Sequence, residues 1–171
     1  MRWLLAVTIL LPLVIAACSS SDPADQERAN VDVVRRLYTE VWSSGDVSVL
    51  DEIIGDGYVK HWAAYPPTVG RDELKTHVTR LRNSFPDWNE RIDAIHASGD
   101  MVFVRWIESG TFLEDLLEVP ATNGRVSVGG MGWIRLSEGK IVEEWTMVDN
   151  WGMQRQLGAV YPDEWLGPGW K

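Results

Sequence analysis

The spacing of apolar residues changes once along this chain, at Pro86, and that change restricts the folds it can adopt. Before Pro86, apolar residues recur every three or four positions, which is typical of amphipathic helices. After Pro86 they alternate with polar residues, which is typical of half-buried strands. Helices followed by a meander of strands predict an α+β domain whose helices pack on one face of an antiparallel sheet.

Three helices are predicted before Pro86 and a short one near the end of the domain. Asn30 is the predicted N-cap of the first helix, and Asp46 caps the second. The remaining two span about residues 70–85 and 151–157. Strands are predicted around residues 58–61, 88–97, 101–110, 125–136 and 141–149.

The last two predicted strands form a hairpin whose turn is Glu138-Gly139. Opposed residues of a hairpin share a face of the sheet. The register that follows pairs Gly132 with Trp145, Gly130 with Met147 and Val128 with Asp149. That face is nearly all apolar, with two glycines where side chains would stand. The combination predicts the lining of a pocket that contains the Asp149 carboxyl.

The opposite face of this hairpin predicts an interface between two copies of the chain. Met131, Trp133 and Val148 form an apolar patch there that a monomer leaves in water. Contiguous apolar patches on a protein surface often mark interfaces. We therefore expect a homodimer that forms through the convex face of the sheet.

Residues 1–17 have the pattern of a signal peptide, with one positive charge at Arg2, a short apolar run and small residues before Cys18. The run is shorter than the roughly 20 apolar residues that a membrane-spanning helix needs. The stretch Val14-Ile15-Ala16-Ala17-Cys18 resembles the bacterial lipobox, in which the cysteine is lipidated and becomes the N-terminus. The alternative is an ordinary signal peptide followed by a free cysteine. Lipidation explains why an exported chain keeps a single cysteine.

These features predict an extracytoplasmic lipoprotein of the cell envelope. Residues 18–29, the lipidated cysteine and a polar tether, connect the lipid to one domain at 30–160, and residues 161–171 form a tail. The net charge of −9 argues against nucleic acid and against attraction to anionic lipid, so membrane attachment is expected through the lipid anchor only. The three histidines are scattered and there is no second thiol, so no metal is expected.

Several short motifs follow one another over about residues 30–160. They are Trp42-Ser43-Ser44-Gly45-Asp46, His61, Gly70-Arg71-Asp72-Glu73-Leu74, Phe85-Pro86-Asp87, Gly99-Asp100-Met101-Val102, Gly124-Arg125, Gly139-Lys140-Ile141-Val142-Glu143, Trp145 with Asp149, and Gln156-Leu157-Gly158. In this order they resemble the SnoaL-like polyketide cyclases of the nuclear transport factor 2-like superfamily. The resemblance implies a cone-shaped, curved antiparallel sheet with N-terminal helices packed over its concave face and an apolar pocket inside.

The resemblance also implies a chemistry. Enzymes of this family close rings by intramolecular aldol reactions without a metal or an organic cofactor, and an aspartate of the last strand, here Asp149, acts as acid and base. Apolar surroundings raise the pKa of a carboxyl toward neutrality, where it can take and return a proton. His61 falls where the family often has a histidine at the pocket mouth. The alternatives are a structural Asp149, held by backbone amides or by Arg105, and a surface His61.

Aromatic side chains are expected to hold the ligand. Steroid isomerase relatives place a tyrosine donor in the first helix, and Tyr38 occupies a comparable position. The ten tryptophans offer faces for a flat or cyclic molecule, although core packing is the alternative for each of them. Whether Arg105 or Trp106 points inward is open. The expected ligand contacts are Tyr38, Trp42, Trp106, Gly130, Gly132, Trp145 and Met147.

Two functions compete for this chain. The first is an enzyme of cyclase, isomerase or lyase type that acts on a small apolar or cyclic molecule by cofactor-free acid/base chemistry. The second is a non-catalytic lipoprotein that binds such a molecule in the same pocket. They differ in whether a second polar group lies within reach of Asp149.

Overall fold

The computed structural model describes residues 22–63, 65–116 and 119–158 of the chain. Helices cover one face of a six-stranded curved sheet, which confirms the predicted α+β class. The predicted signal peptide, Cys18 and the tail at 161–171 lie outside the described residues. Within the described ranges, no helix is both long enough and apolar enough to cross a membrane.

The first helix, α1 (Pro23–Arg36), begins before the predicted cap at Asn30. Asp22 caps it by accepting a hydrogen bond from the Ala24 amide at 3.0 Å, and Pro23 fits the first turn. Asn30 is instead buried and donates to the Gly99 carbonyl at 3.0 Å. The predicted cap was therefore wrong, and residues 23–29, which were expected in the tether, belong to α1. The first two turns of α1 are solvated, so they carry no apolar periodicity that would have revealed them.

Beyond α1 the chain forms the remaining elements close to their predicted positions. A π-helix (Leu37–Ser43) continues α1, and a 3₁₀ turn (Val47–Val49) leads into α2 (Leu50–Ile53). The third and fourth predicted helices are confirmed within one residue at each end as α3 (Arg71–Ser84) and α4 (Asn150–Gln156). The strands are β1 (Ile54–Trp62), β2 (Thr68–Val69), β3 (Asn89–Ser98), β4 (Met101–Thr111), β5 (Arg125–Ser137) and β6 (Lys140–Val148).

The sheet is mixed rather than wholly antiparallel. Its strand order is β2-β1-β6-β5-β4-β3, and β1 runs parallel to β6 while the other neighbours are antiparallel. The first strand therefore pairs with the last one, more than 70 residues away in sequence, as in the pair Lys60 and Glu144. A pairing over this separation has no local sequence signal.

The β5–β6 hairpin has the predicted turn but a different register. Glu138 and Gly139 both have positive φ, 51° and 74°, as a two-residue hairpin turn requires. Leu136 faces Ile141 as predicted, but Arg135 faces Glu143, so Val142 has no partner and forms a β-bulge. One extra residue exchanges the two faces of the rest of β6.

Because of this bulge, the predicted inner residues of β6 lie outside. Trp145 is 38% exposed and Met147 59% exposed, whereas Glu144 and Thr146 are buried on the inner face. Trp145 pairs with Trp133, and Met147 with Met131, on the outer face of the sheet. The predicted placement of Trp145 and Met147 on the inner face was therefore wrong.

Candidate functional site

The inner face of the sheet buries four charged residues beneath the helices. Glu90, Glu108, Glu144 and Lys60 come from β3, β4, β6 and β1, and they are 7%, 5%, 1% and 3% exposed. A buried charge is unfavourable unless it is paired and hydrogen-bonded. Strongly perturbed ionisable groups that converge inside a fold mark a candidate functional site.

Glu90 and Glu108 form the first half of this site. They are direct partners in the β3–β4 ladder, and both side chains are buried on the inner face. Each carboxylate accepts one indole hydrogen: Trp88 Nε1 donates to Glu90 Oε1 at 3.2 Å, and Trp106 Nε1 donates to Glu108 Oε2 at 3.0 Å. Facing side chains of a ladder have Cβ atoms about 4.5–5.5 Å apart, so the two carboxyls interact strongly.

The environment of this pair favours its protonated form. Burial raises the pKa of Glu108 to about 7. The Trp106 hydrogen bond and the positive charge of Lys60 lower this pKa and so offset part of the effect of burial. Burial also raises the pKa of Glu90 well above its usual range, and the negative charge of Glu108 adds to this. Two neighbouring carboxyls in one desolvated site do not both ionise readily. The pair therefore holds a proton near neutral pH.

Lys60 and Glu144 form the second half of the site. The Lys60 ammonium lies 3.2 Å from Glu144 Oε2. The Tyr58 hydroxyl donates to the other oxygen of Glu144. Both strands present these side chains on the inner face, because Lys60 and Glu144 are partners in the parallel β1–β6 ladder. Each polar atom of this trio thus has a partner within the fold.

Tyr38 enters the site from the helical side. The π-helix that carries it is tied to β3 through Ser43, whose hydroxyl donates to the Tyr38 carbonyl at 2.8 Å and accepts the Glu90 amide hydrogen at 2.9 Å. Burial raises the pKa of Tyr38 well above its usual range, and the negative charges of the three glutamates add to this. The phenol therefore stays protonated and is available as a hydrogen-bond donor.

The space expected at the two glycines of β5 is occupied by Trp106. A Cβ at Gly130 would lie 2.9 Å from the indole Nε1 and closer still to two ring carbons. A Cβ at Gly132 would lie 3.6 Å from the same ring. Trp106 therefore points inward, whereas Arg105 points outward and pairs with Asp93 at 2.6 Å. The predicted open gap was wrong, because the glycines accommodate an indole of the neighbouring strand.

Several predicted ligand residues do meet at this site. The Tyr38 and Trp106 rings lie 5.1 Å apart, and Trp42 faces the Lys60 ammonium at 4.8 Å. Trp62 adds a second ring 4.4 Å from the same ammonium. The structure thus brings together Tyr38, Trp42, Trp106, Gly130 and Gly132.

The two predicted catalytic residues lie elsewhere. Asp149 is exposed and caps α4, where Oδ1 accepts the Gly152 amide hydrogen at 2.8 Å. His61 stacks on Trp145 on the outer face, and its Nε2 lies 2.9 Å from Glu143 Oε1. The premise that Asp149 is buried among apolar groups was wrong. The bulge in β6 turns the face on which Asp149 was expected toward the outside of the sheet. A catalytic role for either residue stays a prediction.

The glutamates and Lys60 were missed by the reasoning from sequence. A signal was present for Glu108, which follows Val102, Val104 and Trp106 at the same alternating positions of β4. A carboxyl on an otherwise apolar strand face indicates either a site or a buried pair. No such signal marked Glu144, because the bulge reversed its face. Within the described ranges, no group of three or more His, Cys, Asp or Glu side chains is placed to hold a metal ion.

Known proteins resemble this chain over nearly the whole described domain. The family model of SnoaL-like polyketide cyclases matches residues 32–157. Aklanonic acid methyl ester cyclase DauD from Streptomyces sp. (strain C5) is 29% identical over 139 residues, which cover 77% of this chain and 83% of DauD.

Two solved structures share the fold. IdmH from Streptomyces antibioticus is 31% identical, with a TM-score of 0.65 over 75% of this chain and 98% of IdmH. A SnoaL-like protein from Jannaschia sp. CCS1 is 22% identical, with a TM-score of 0.72 over 80% of this chain and 95% of that protein. At this identity the similarity shows a shared fold only. From the family model and these relatives together, the chain belongs to the SnoaL-like polyketide cyclase family.

Proposed function

We propose that this chain is an enzyme that transforms a neutral apolar or cyclic molecule by cofactor-free acid/base chemistry of cyclase, isomerase or lyase type. The observation that carries the proposal is the buried Glu90–Glu108 pair, which holds a proton near neutral pH. A general acid or base works best when its pKa lies near the working pH. Family membership supports the same reaction class, and DauD is by name a cyclase of a methyl ester.

Glu108 is the proposed proton carrier. In its ionised form it removes a proton from a carbon next to a carbonyl group, and the electron pair of the broken C–H bond forms an enolate. Tyr38 donates a hydrogen bond to the enolate oxygen, where negative charge develops. The protonated Glu108 then returns the proton to the rearranged product. The step needs no oxidant, metal or second substrate.

The test compares Glu108→Gln with Asp149→Asn on aklanonic acid methyl ester, the compound in the name of DauD. The glutamine keeps an oxygen for the Trp106 hydrogen bond but cannot transfer a proton. We expect turnover to fall by about 10²–10⁴ in Glu108→Gln, the usual worth of general acid/base catalysis, while binding changes by less than about tenfold. Asp149→Asn is the matched control, because the same change is made at the exposed cap of α4.

A loss of turnover in Asp149→Asn alone would contradict this assignment and restore Asp149 as the acid/base. A wild type that binds the ester and leaves it unchanged would instead support the alternative of a non-catalytic binding protein.

We also propose that two copies of the chain pair through the outer face of the sheet. The exposed apolar side chains there are Met131, Trp133, Trp145 and Met147. Compared with the patch predicted from sequence, Val148 is lost, because it packs against the inner core. Arg135 and His61 both contact Glu143 beside the patch and give it a polar border. An apolar centre with a polar border is typical of interfaces.

A location in the cell envelope is also proposed, on the basis of the sequence. The signal-peptide pattern at 1–17 and the lipobox-like residues before Cys18 support it. Lipidation at Cys18 would tether the acid/base domain to a membrane.

A further inference from the structure

Lys60 is the one lysine or arginine that is buried among the described residues. Its ammonium lies 3.2 Å from Glu144 Oε2 and faces the rings of Trp62 and Trp42 at 4.4 and 4.8 Å. A carboxylate and the faces of two indoles attract an ammonium group. The Lys60 ammonium therefore has favourable partners inside the fold.

The inner face carries more negative than positive groups. Lys60 pairs with Glu144 from β6, which also accepts a hydrogen bond from Tyr58, and the Lys60 charge acts on the half-buried His77 of α3. Glu90, Glu108 and Tyr38 complete the set. His77 adds no charge, because burial lowers its pKa to about 4, with the charges of Lys60 and Arg80 adding to the effect. Three carboxyl groups therefore share one ammonium.

We propose that Lys60 is a positioning residue whose charge keeps the buried Glu90–Glu108 pair from taking up a second proton at neutral pH, so that one carboxylate of the pair stays free to accept a proton from substrate. This rests on the proposed acid/base function. Lys60 is fixed on the strand beside Glu144, and its charge acts against protonation of Glu90 and Glu108. Consistent with this, the Lys60 charge lowers the pKa of both Glu90 and Glu108. Without it, the Glu90–Glu108 pair would take up a second proton, and neither carboxyl of the pair could accept a proton from substrate.

The experiment is a pH titration of the glutamate side-chain carboxyl signals by NMR, in protein labelled with ¹³C at Cδ. Signals are assigned with Glu90→Gln, Glu108→Gln and Glu144→Gln. In the wild type we expect a member of the Glu90–Glu108 pair to titrate near pH 7. In Lys60→Met we expect the titration of the Glu90–Glu108 pair to move upward by about one to two pH units.

Two further variants serve as controls. Lys60→Arg keeps the charge and should stay close to the wild type. Lys75→Met removes a lysine of α3 that pairs with Asp51 at 2.6 Å outside the cluster, and it should leave the titration unchanged. If Lys60→Met does not fold, Glu144→Gln replaces it. There the unpaired Lys60 charge acts fully on the remaining pair, and the Glu108 midpoint should move downward.

The outcomes separate the two proposals. If the wild-type pair titrates near pH 7 but neither Lys60→Met nor Glu144→Gln moves it, the role of Lys60 is wrong and the proposed function stands. If Glu90 and Glu108 both titrate at ordinary glutamate values in the wild type, the proposed acid/base pair itself fails.

Discussion

The contact between Trp106 and the glycines of β5 allows a sharp test of how the site is built. In Gly130→Ala the new methyl group would stand 2.9 Å from Trp106 Nε1 and closer to two ring carbons, so the indole must move by about an ångström to restore normal contact. Movement of the ring breaks its 3.0 Å hydrogen bond to Glu108 and its packing on Tyr38. Such overpacking costs about 1–3 kcal/mol of unfolding free energy.

Gly129→Ala is the matched control. Gly129 is the preceding residue of the same strand but faces outward, where a Cβ would lie 3.8 Å from Ile107 Cδ1, an ordinary contact. We expect Gly129→Ala to be neutral or slightly stabilising, since alanine restricts the unfolded chain. Urea denaturation of both variants gives the difference, and Gly130→Ala should lower Tm by roughly 3–10 °C. Equal stabilities, with an unchanged Trp106 environment in NMR, would refute the packing described for the site.

Three other outcomes can be measured independently. The pKa of Glu108 rises from 4.5 to about 7 on folding. Between these two pH values the folded state keeps a proton that the unfolded chain releases. The free energy of unfolding therefore falls by up to about 3 kcal/mol as the pH rises from 4.5 to about 7. Urea unfolding should show a flatter pH dependence in Glu108→Gln, and equal slopes would contradict the burial of an ionisable Glu108. Trp133→Glu should shift a dimer to monomer in light scattering; a wild type that is monomeric at high concentration would argue against the interface. Cys18→Ala should abolish incorporation of labelled palmitate in a bacterial host, and continued labelling would disprove the lipobox.

Much of the fold could be predicted because its signals are local. The helical period of Leu74 and Val78 in α3 and the alternation of Val102, Val104 and Trp106 in β4 each lie within one element. These elements formed within a residue or so of their predicted ends. The order of the motifs was also sufficient to suggest the family, which the family model confirms.

The candidate site could be predicted only in part. Tyr38 and Trp42 were expected among the ligand contacts, and both are buried beside the glutamates. Trp106 was expected as a pocket wall, but its inward direction depends on pairing with β5. Asp149 was expected inside on the premise of an unbroken hairpin, and it caps a helix at the surface instead.

The amino-acid sequence alone therefore determined the type and order of the elements, since hydrophobic period and turn residues act over a few positions. Only the tertiary structure decided which strand faces point inward. Side chains alternate with a period of two, so the single unpaired Val142 exchanges the two faces of the rest of β6. Strand β6 pairs with β5 on one side and, on the other, with β1, which lies more than 70 residues away in sequence. The bulge places Glu144 beside Lys60 on the inner face and turns Trp145 outward, and this exchange of faces follows from the pairing between strands.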